Sequence, residues 1–239
     1  MRRAVGVTGE LLLTAGLLVL LFVVWQIGVM GVVDGRRQAD LVGGIERGFA
    51  AARTGSPASG QDTRPTDRPP AEGSLADLDP GGPFGVLRVP RLGGSEWARP
   101  VLQGVGLDVL ARGLGHYAGT ALPGQVGNLA IAGHRSGHGN PLIDIDAVQP
   151  GDAVVLETRA GWYVYRAVRH DVVAPDRSDV VAPVPERPGV RPTERWLTLT
   201  TCSPRYGSTS RYVVFARFET LVPRAAGRPD AVLADPREL

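Results

Sequence analysis

The chain has 239 residues, of which 43% are hydrophobic and 21% charged, so it is neither wholly disordered nor built only from membrane segments. Its formal net charge of +2 argues against a nucleic-acid-binding protein. All 26 basic residues are arginine, which excludes chemistry through a lysine amine. Because Cys202 is the only cysteine, the chain can form neither an intrachain disulfide nor a cysteine-rich zinc site.

The N-terminal region is predicted to hold a membrane anchor. Leu11 to Val33 is 23 residues long and carries no charge. A helix of that length runs about 34 Å, at ~1.5 Å per residue, which is enough to cross a hydrocarbon core of ~30 Å. No convincing signal-peptide cleavage site follows it, so we expect an uncleaved transmembrane helix behind a short cytoplasmic segment, residues 1–10. A buried core helix is the alternative. Two arginines flank the stretch on each side, so the positive-inside rule does not fix its orientation.

The rest of the chain divides into a stalk with a linker, one domain and a tail. Residues 34–83 begin as a helical stalk, with apolar residues at helical spacing, and continue from Thr54 as a Pro/Gly-rich linker with six prolines. The linker is too poor in apolar residues to bury a core, so it is expected to act as a spacer. Residues 84–222 have the length of an ordinary single domain. Residues 223–239 are polar and contain proline and glycine, which predicts a flexible tail.

The domain is predicted to be mainly β, as a closed or partly closed β-barrel with one or two short helices. Its apolar runs are short and rich in valine, leucine and aromatic residues, and turn-forming residues separate most of them. The predicted helix is Leu107–Arg112. The predicted strands are Phe84–Val89, Arg99–Gly104, Asn128–Gly133, Ala153–Glu157, Trp162–His170, Trp196–Cys202 and Arg211–Glu219.

The main sign of chemistry is Cys202, at the end of a predicted strand. Alternation along residues 196–202 places Thr200 and Cys202 on one face of that strand and the leucines on the other. The next strand begins at Arg211, and consecutive strands usually pair, so Cys202 and Arg211 are expected at the same barrel mouth. A guanidinium there can favour a thiolate or stabilise an oxyanion. The alternatives are a packed core cysteine and, for the guanidinium, Arg205 in the intervening loop.

A cysteine nucleophile usually works with a histidine. His134 is the first candidate, because it ends an apolar strand and follows a glycine that allows close backbone approach. His116, after the short helix, is the second candidate, whereas His138 and His170 are expected at the surface. None of the four has the spacing of a zinc site, and the acidic residues are scattered, so neither zinc nor calcium is expected.

Four strings in this order resemble the sortase family: GHYAGTA at 115–121, PGQ at 123–125, AGHR at 132–135 and TLTTC at 198–202, with Arg211 downstream. They cover the predicted domain, and AGHR with TLTTC at this separation is a specific signal. The tyrosine in the first string, the serine and proline after TLTTC, and the arginine nine residues past the cysteine most resemble class E, the housekeeping sortases of actinobacteria. The arginine-only composition and the predicted anchor agree with that class.

The resemblance implies a sortase-type barrel on the outer face of the membrane, with the N-terminus inside and no cofactor. Cys202 would attack the threonine carbonyl of a C-terminal sorting signal, of the LPxTG type or the LAxTG type that class E favours, and release the part beginning with glycine. An amine of a peptidoglycan precursor would then resolve the thioester. His134 would transfer protons, Arg211 would bind substrate and stabilise the oxyanion, Tyr117 would recognise the residue after the leucine, and Thr200 would line the pocket.

Two other functions stay open from the sequence. One is a sortase that assembles pili and uses a pilin lysine as acceptor. The other is a membrane-tethered β-barrel binding module in which Cys202 is a structural core residue. Papain-type proteases place the cysteine before the histidine, and L,D-transpeptidases carry a Ser-His-Gly-Cys string, so neither pattern fits this chain.

Overall fold

The computed structural model describes residues 2–54, 65, 79–234 and 236, so most of the predicted linker lies outside the described residues. Helix α1 covers Arg2–Thr54, α2 covers Leu107–Leu110 and α3 covers Asp230–Leu233. Short 3-10 segments lie at Pro90–Leu92, Ile145–Ala147, Ser178–Val181 and Arg224–Ala226. The strands are β1 Pro83–Arg88, β2 Arg99–Gln103, β3 Leu114–His116, β4 Gly127–Ala132, β5 Ala153–Glu157, β6 Gly161–Val173, β7 Arg195–Ser203 and β8 Ser210–Pro223.

The eight strands of the described chain form one closed barrel in the order β1-β2-β3-β4-β7-β8-β6-β5. This confirms the predicted mainly β, closed barrel. The pairs β2–β3 and β4–β7 are parallel and the remaining pairs are antiparallel. Each of the seven predicted strands is present. The sequence did not predict β3, because three residues containing a glycine are too short to show alternation.

The barrel interior is filled by one face of each strand. On β7, Leu197 and Leu199 point inward, and on β4 Leu129 and Ile131 do the same. All four side chains are at most 1% exposed, and burying a side chain of this size stabilises the fold by about 1.5–3 kcal/mol. Because side chains alternate along a strand, the neighbouring residues of β4 and β7 must face outward, where the candidate site lies.

The stalk is part of the folded domain. Val42, Ile45 and Phe49 of α1 are buried in a cluster with Val86 of β1. Two arginines of the barrel add polar contacts to the same helix: Arg88 forms an ion pair with Glu46, and the Arg224 guanidinium lies 4.6 Å from the centre of the Phe49 ring. The predicted stalk helix is therefore docked along the barrel wall.

The N-terminal half of α1 exposes large apolar side chains. They include the residues Leu11, Leu12, Leu13, Leu17, Leu18, Val19, Leu20, Leu21, Phe22, Val23 and Trp25. Across the described residues, however, the structure contains no helix with both the length and the apolar character needed to cross a membrane. The predicted transmembrane helix is therefore not confirmed.

A flexible tail was predicted for residues 223–239, but the segment 224–234 of it packs against the barrel. The 3-10 turn after β8 is held by Arg224, whose Nη1 donates a hydrogen bond to Glu157 at 3.0 Å. Val232 of α3 is fully buried in a cluster with Trp162, Val164 and other residues on the outside of β5 and β6. The polar composition of the segment gave no sign of this packing. One buried valine is enough for it, and the apolar surface that Val232 covers exists only in the folded barrel.

Candidate active site

Cys202 lies one residue before the end of β7, on its outward face. Leu197 and Leu199 occupy the barrel interior, so Thr198, Thr200 and Cys202 face outward. The cysteine is half-buried and its thiol is free. Its neighbours Thr201 and Ser203 are buried, so the backbone that carries the thiol is held on both sides. A packed core cysteine, the alternative from the sequence, does not match this partial exposure.

Arg211 lies directly across from Cys202. The hairpin of β7 and β8 places the two residues in register, which confirms the predicted shared barrel mouth. Arg211 Nη1 donates hydrogen bonds to the carbonyl oxygens of Ser208 and Ser210, each at 3.0 Å. These bonds hold the guanidinium beside the loop that joins the two strands.

His134 leaves β4 at the same rim of the barrel. Parallel pairing puts Ala132 of β4 opposite Thr200 of β7. The pairing continues past the end of β4. The amide of Gly133 donates a hydrogen bond to the carbonyl oxygen of Thr200 at 3.1 Å, and the hydroxyl of Thr201 donates one to the carbonyl oxygen of Gly133 at 2.7 Å. Extending the register by two residues brings His134 level with the cysteine.

The imidazole of His134 is half-buried and stacks on that of His138, with ring centres 4.6 Å apart and planes inclined by 29°. Burial lowers the pKa of His134 below its usual range, and the positive charge that His138 can carry lowers it further. The neutral imidazole is thereby favoured. His138 is exposed, as predicted, but the sequence did not predict its stacking; the only signal was a second histidine four residues on in a glycine-rich loop.

Arg205 is engaged in ion pairs with two acidic residues. Its guanidinium pairs with Asp144 at 3.0 Å and with Asp146 at 3.5 Å, and Asp146 also pairs with the buried Arg135 at 2.8 Å. This network ties the β7–β8 loop to the Ile145–Ala147 turn. It favours Arg211 over Arg205 as the guanidinium that serves the cysteine.

The other two histidines have different surroundings. His116 is 1% exposed, with Nδ1 2.7 Å from Gln103 Oε1 and Nε2 2.9 Å from Thr120 Oγ1. Burial lowers its pKa, and its burial and hydrogen bonds favour a structural role over that of the second catalytic candidate. His170 is exposed, as predicted, and stacks on Tyr212.

A strip of small side chains runs along the outside of the barrel from the rim. Ala130 and Ala132 of β4 lie beside Thr198 and Thr200 of β7. Tyr117 closes one side of the strip, with its hydroxyl 3.0 Å from Thr200 Oγ1. The four small side chains are at most 7% exposed, whereas Tyr117 and Cys202 at the edge of the strip are partly exposed.

The far end of this strip opens into a cleft of about 350 Å³ beside the start of β4. There Thr198 donates to Asn128 Oδ1 at 2.8 Å, and Asn128 Nδ2 in turn donates to the carbonyl oxygens of Val180 and Ala182. These bonds hold the segment between β6 and β7 over the strip. Tyr117 and Thr200, both predicted from the sequence as substrate-binding residues, therefore lie between this cleft and the rim.

Acidic residues near the rim are used in ion pairs. Asp144 and Asp146 pair with arginines as described, and Glu157, far from the rim, pairs with Arg88 and Arg224. Within the part of the chain that the structure describes, no group of three or more His, Cys, Asp or Glu side chains is arranged to hold a metal ion.

A family model, two curated relatives and a solved structure to which this chain is similar are all sortases. A protein-family model described as the sortase domain matches residues 87–219. Sortase SrtE1 of Streptomyces coelicolor is 33% identical over 95% of this chain, which spans 60% of the length of that relative. Sortase SrtE2 of the same organism is 36% identical over 89% of this chain and 81% of its own length. A solved structure of sortase E1 from S. coelicolor, with a tripeptide in its active site, matches with a TM-score of 0.59 at 35% identity, over 65% of this chain and 99% of its own.

Proposed function

The chain belongs to the sortase family of cysteine transpeptidases and has class E relatives, and from this premise we propose that Cys202, His134 and Arg211 are its catalytic residues. The observation that carries the proposal is the register at the barrel rim. The end of β4, the end of β7 and the start of β8 meet at this rim, and their backbone register puts His134, Cys202 and Arg211 at neighbouring positions.

The proposed reaction is acyl transfer in two halves. The thiol of Cys202 passes its proton to the neutral imidazole of His134 as its sulfur bonds to the threonine carbonyl carbon, and the carbonyl oxygen becomes an oxyanion that the Arg211 guanidinium stabilises. The C–N bond to glycine then breaks, and His134 gives a proton to the departing amine. An incoming amine attacks the thioester, passes a proton to His134 and displaces the sulfur. A proton donor or acceptor of this kind typically contributes 10²–10⁴-fold in rate, and an oxyanion donor ~2.7–4 kcal/mol.

The proposed substrate is a C-terminal sorting signal of the LAxTG or LPxTG type, bound at the partly exposed edge of the strip beside Cys202. The support is that Tyr117 is partly exposed there, with its hydroxyl 3.0 Å from Thr200 Oγ1 on the same strand face as Cys202. Tyr117 is proposed to recognise the residue after the leucine, and Thr200 to line its pocket. The tripeptide in the active site of S. coelicolor sortase E1 supports a peptide substrate.

The proposed acceptor is an amine of a peptidoglycan precursor, as for a housekeeping sortase. The class E relatives support this acceptor over the pilin lysine of a pilus-assembling sortase. The reaction conserves the energy of the broken peptide bond in the thioester, so it needs neither ATP nor a metal. A binding module with a structural cysteine no longer fits a chain of this family.

We further propose that α1 anchors the chain in the cell membrane, with the N-terminus inside and the catalytic barrel outside. The support is the uncharged stretch Leu11 to Val33 and the exposed apolar side chains of its first half. If so, the full chain stays in the membrane pellet after a carbonate wash, whereas a variant with Leu17→Arg and Leu20→Arg is released. Release of the unmodified chain by carbonate would refute the anchor.

The catalytic proposal is tested with the purified full chain, an LAxTG peptide, an LPxTG peptide and an amine. We expect cleavage between threonine and glycine and a thioester on Cys202 detectable by mass spectrometry. The variant Cys202→Ala should yield neither, while melting at an unchanged temperature. Cleavage by Cys202→Ala, or a thioester formed in the absence of His134 at the normal rate, would contradict the assignment.

A further inference from the structure

The loop that follows His134 has an unusual backbone. Residues 137 to 140 all have positive φ: 79° at Gly137, 49° at His138, 75° at Gly139 and 51° at Asn140. Glycine adopts this left-handed region freely, but histidine and asparagine do so at a cost. Two hydrogen bonds between Gly137 and Asn140 close the loop locally, at 2.7 and 2.9 Å. They fix the shape of the loop but not its position relative to His134.

Helix α1 supplies that external restraint. Gln38 is 3% exposed, and its Nε2 donates a hydrogen bond to the carbonyl oxygen of His138 at 2.7 Å. The backbones are also in contact, since a Cβ atom added to Gly139 would lie 3.0 Å from the amide nitrogen of Gly35. Gln38 Oε1 is buried and accepts no hydrogen bond from the described chain. Within the described residues, the side chain of Gln38 therefore makes its polar contact with the loop through Nε2.

The helix is held in place by contacts that do not involve the loop. Its next turns carry Val42, Ile45 and Phe49 into the apolar cluster on β1, and Glu46 pairs with Arg88. Gln38 lies one turn before Val42 and therefore projects from an already fixed helix. A hydrogen bond from such a rigid platform restricts the loop more than one from a mobile side chain would.

The restraint reaches His134 through the second histidine. With its carbonyl oxygen held by Gln38, His138 stacks its ring on that of His134, 4.6 Å away. Arg211 on β8 and the Cys202 thiol on β7 lie at the same rim.

We propose that Gln38 and His138 are positioning residues for the catalytic imidazole. Gln38 fixes the loop, and His138 holds the ring of His134 in the orientation that serves Cys202, without either residue touching the substrate. The stalk helix thus contributes to the reaction from outside the barrel. This inference rests on the proposed role of His134 as the proton-transfer group.

The test compares full-chain variants in detergent. Gln38→Met keeps the size of the side chain but removes the donor, and we expect kcat to fall at least fivefold with less than a twofold change in KM. Asp40→Asn, at an exposed position of the same helix, is the matched control and should keep kcat within twofold. His138→Ala should lose activity as Gln38→Met does, and His138→Phe, which keeps a ring, should recover most of the rate.

A second readout separates this inference from the proposed function. In ¹H–¹³C NMR of labelled histidine, Gln38→Met should shift the His134 signals, whereas Asp40→Asn should not. If the unmodified chain cleaves neither peptide, the proposed function fails, but the NMR comparison still tests the positioning. Unchanged His134 signals with unchanged kcat in Gln38→Met overturn the inference. A higher kcat in Gln38→Met also overturns it, because the hydrogen bond from Gln38 to His138 would then slow the reaction.

Discussion

The hydroxyl of Thr201 donates a hydrogen bond to the carbonyl oxygen of Gly133 at 2.7 Å, and so joins the residue before Cys202 to the residue before His134. The bond is buried and lies where β4 and β7 stop pairing. It sets the spacing between the strand that carries the thiol and the turn that carries the imidazole. Small displacements of reacting groups are costly, because a shift of about 1 Å can reduce a rate by ~10²-fold.

We therefore expect Thr201→Val to slow acyl-enzyme formation by roughly tenfold or more while the barrel stays folded. Loss of a buried hydrogen bond also lowers the free energy of unfolding by about 1–3 kcal/mol. The matched control is Tyr165→Phe, which removes the buried bond from the amide of Gly124, 2.9 Å long, away from the rim. Stopped-flow acylation and urea unfolding measure both effects. Equal acylation rates for the two variants would show that Thr201 has only a structural role.

Arg211 and Arg205 should differ sharply when each is replaced by alanine. Arg211→Ala is expected to lose at least ~10² in kcat/KM, because an oxyanion donor is removed. Arg205→Ala breaks partly exposed ion pairs with Asp144 and Asp146, which are worth only about 0–1 kcal/mol, and should stay within threefold. Peptide cleavage assays decide between them. The reverse order would mean that Arg205 turns toward the thiol when substrate is bound.

Stability is expected to decrease in mild acid because of His116. Burial lowers its folded-state pKa, so below the usual value of ~6.5 the unfolded chain takes up a proton that the folded chain does not. The free energy of unfolding should therefore fall as the pH drops from 7.5 to 5. Urea titrations at both pH values test this, with the exposed His170→Gln as control. In His116→Gln the pH dependence should be weaker, and an unaltered dependence would contradict the assignment.

Tyr117→Phe should change the choice between LAxTG and LPxTG peptides with little effect on the chemical step. The substitution removes only the hydroxyl that lies 3.0 Å from Thr200 Oγ1. A net hydrogen bond is worth about 1 kcal/mol, or roughly a fivefold change in the ratio of kcat/KM for the two peptides. Thr200→Val breaks the same contact from the other side and should act in the same direction. Identical ratios in all three enzymes would remove Tyr117 and Thr200 from substrate recognition.

The sequence predicted those parts of the site that depend on local pattern. Alternation along β7 placed Cys202 at a strand end, and adjacency in sequence predicted the hairpin that sets Arg211 opposite it. The parallel pairing of β4 with β7 could not be predicted in this way, because β5 and β6 intervene. His134 was selected by residue type and its strand-end position, but its placement beside the thiol follows from barrel closure.

The stalk shows a different limit. The spacing of Val42, Ile45 and Phe49 indicated a helix with one apolar face, but a periodic pattern does not identify the surface that covers it. That surface is Val86 and its neighbours, which exist only once β1 has joined the barrel. The stacking of His138 on His134 was missed for the same reason, since it depends on a loop held by a residue 100 positions away.

The parallel joining of β4 and β7 has a consequence for how the enzyme comes into being. Gly133 and Thr201 are 68 positions apart, and contacts so distant in sequence form late, after the entropy of closing the intervening chain has been overcome. A partly made or partly folded chain thus carries an ordinary thiol with no proton carrier beside it. We therefore expect peptide cleavage only after β7 and β8 have joined the barrel, so that a nascent chain is not acylated by the peptides it meets first.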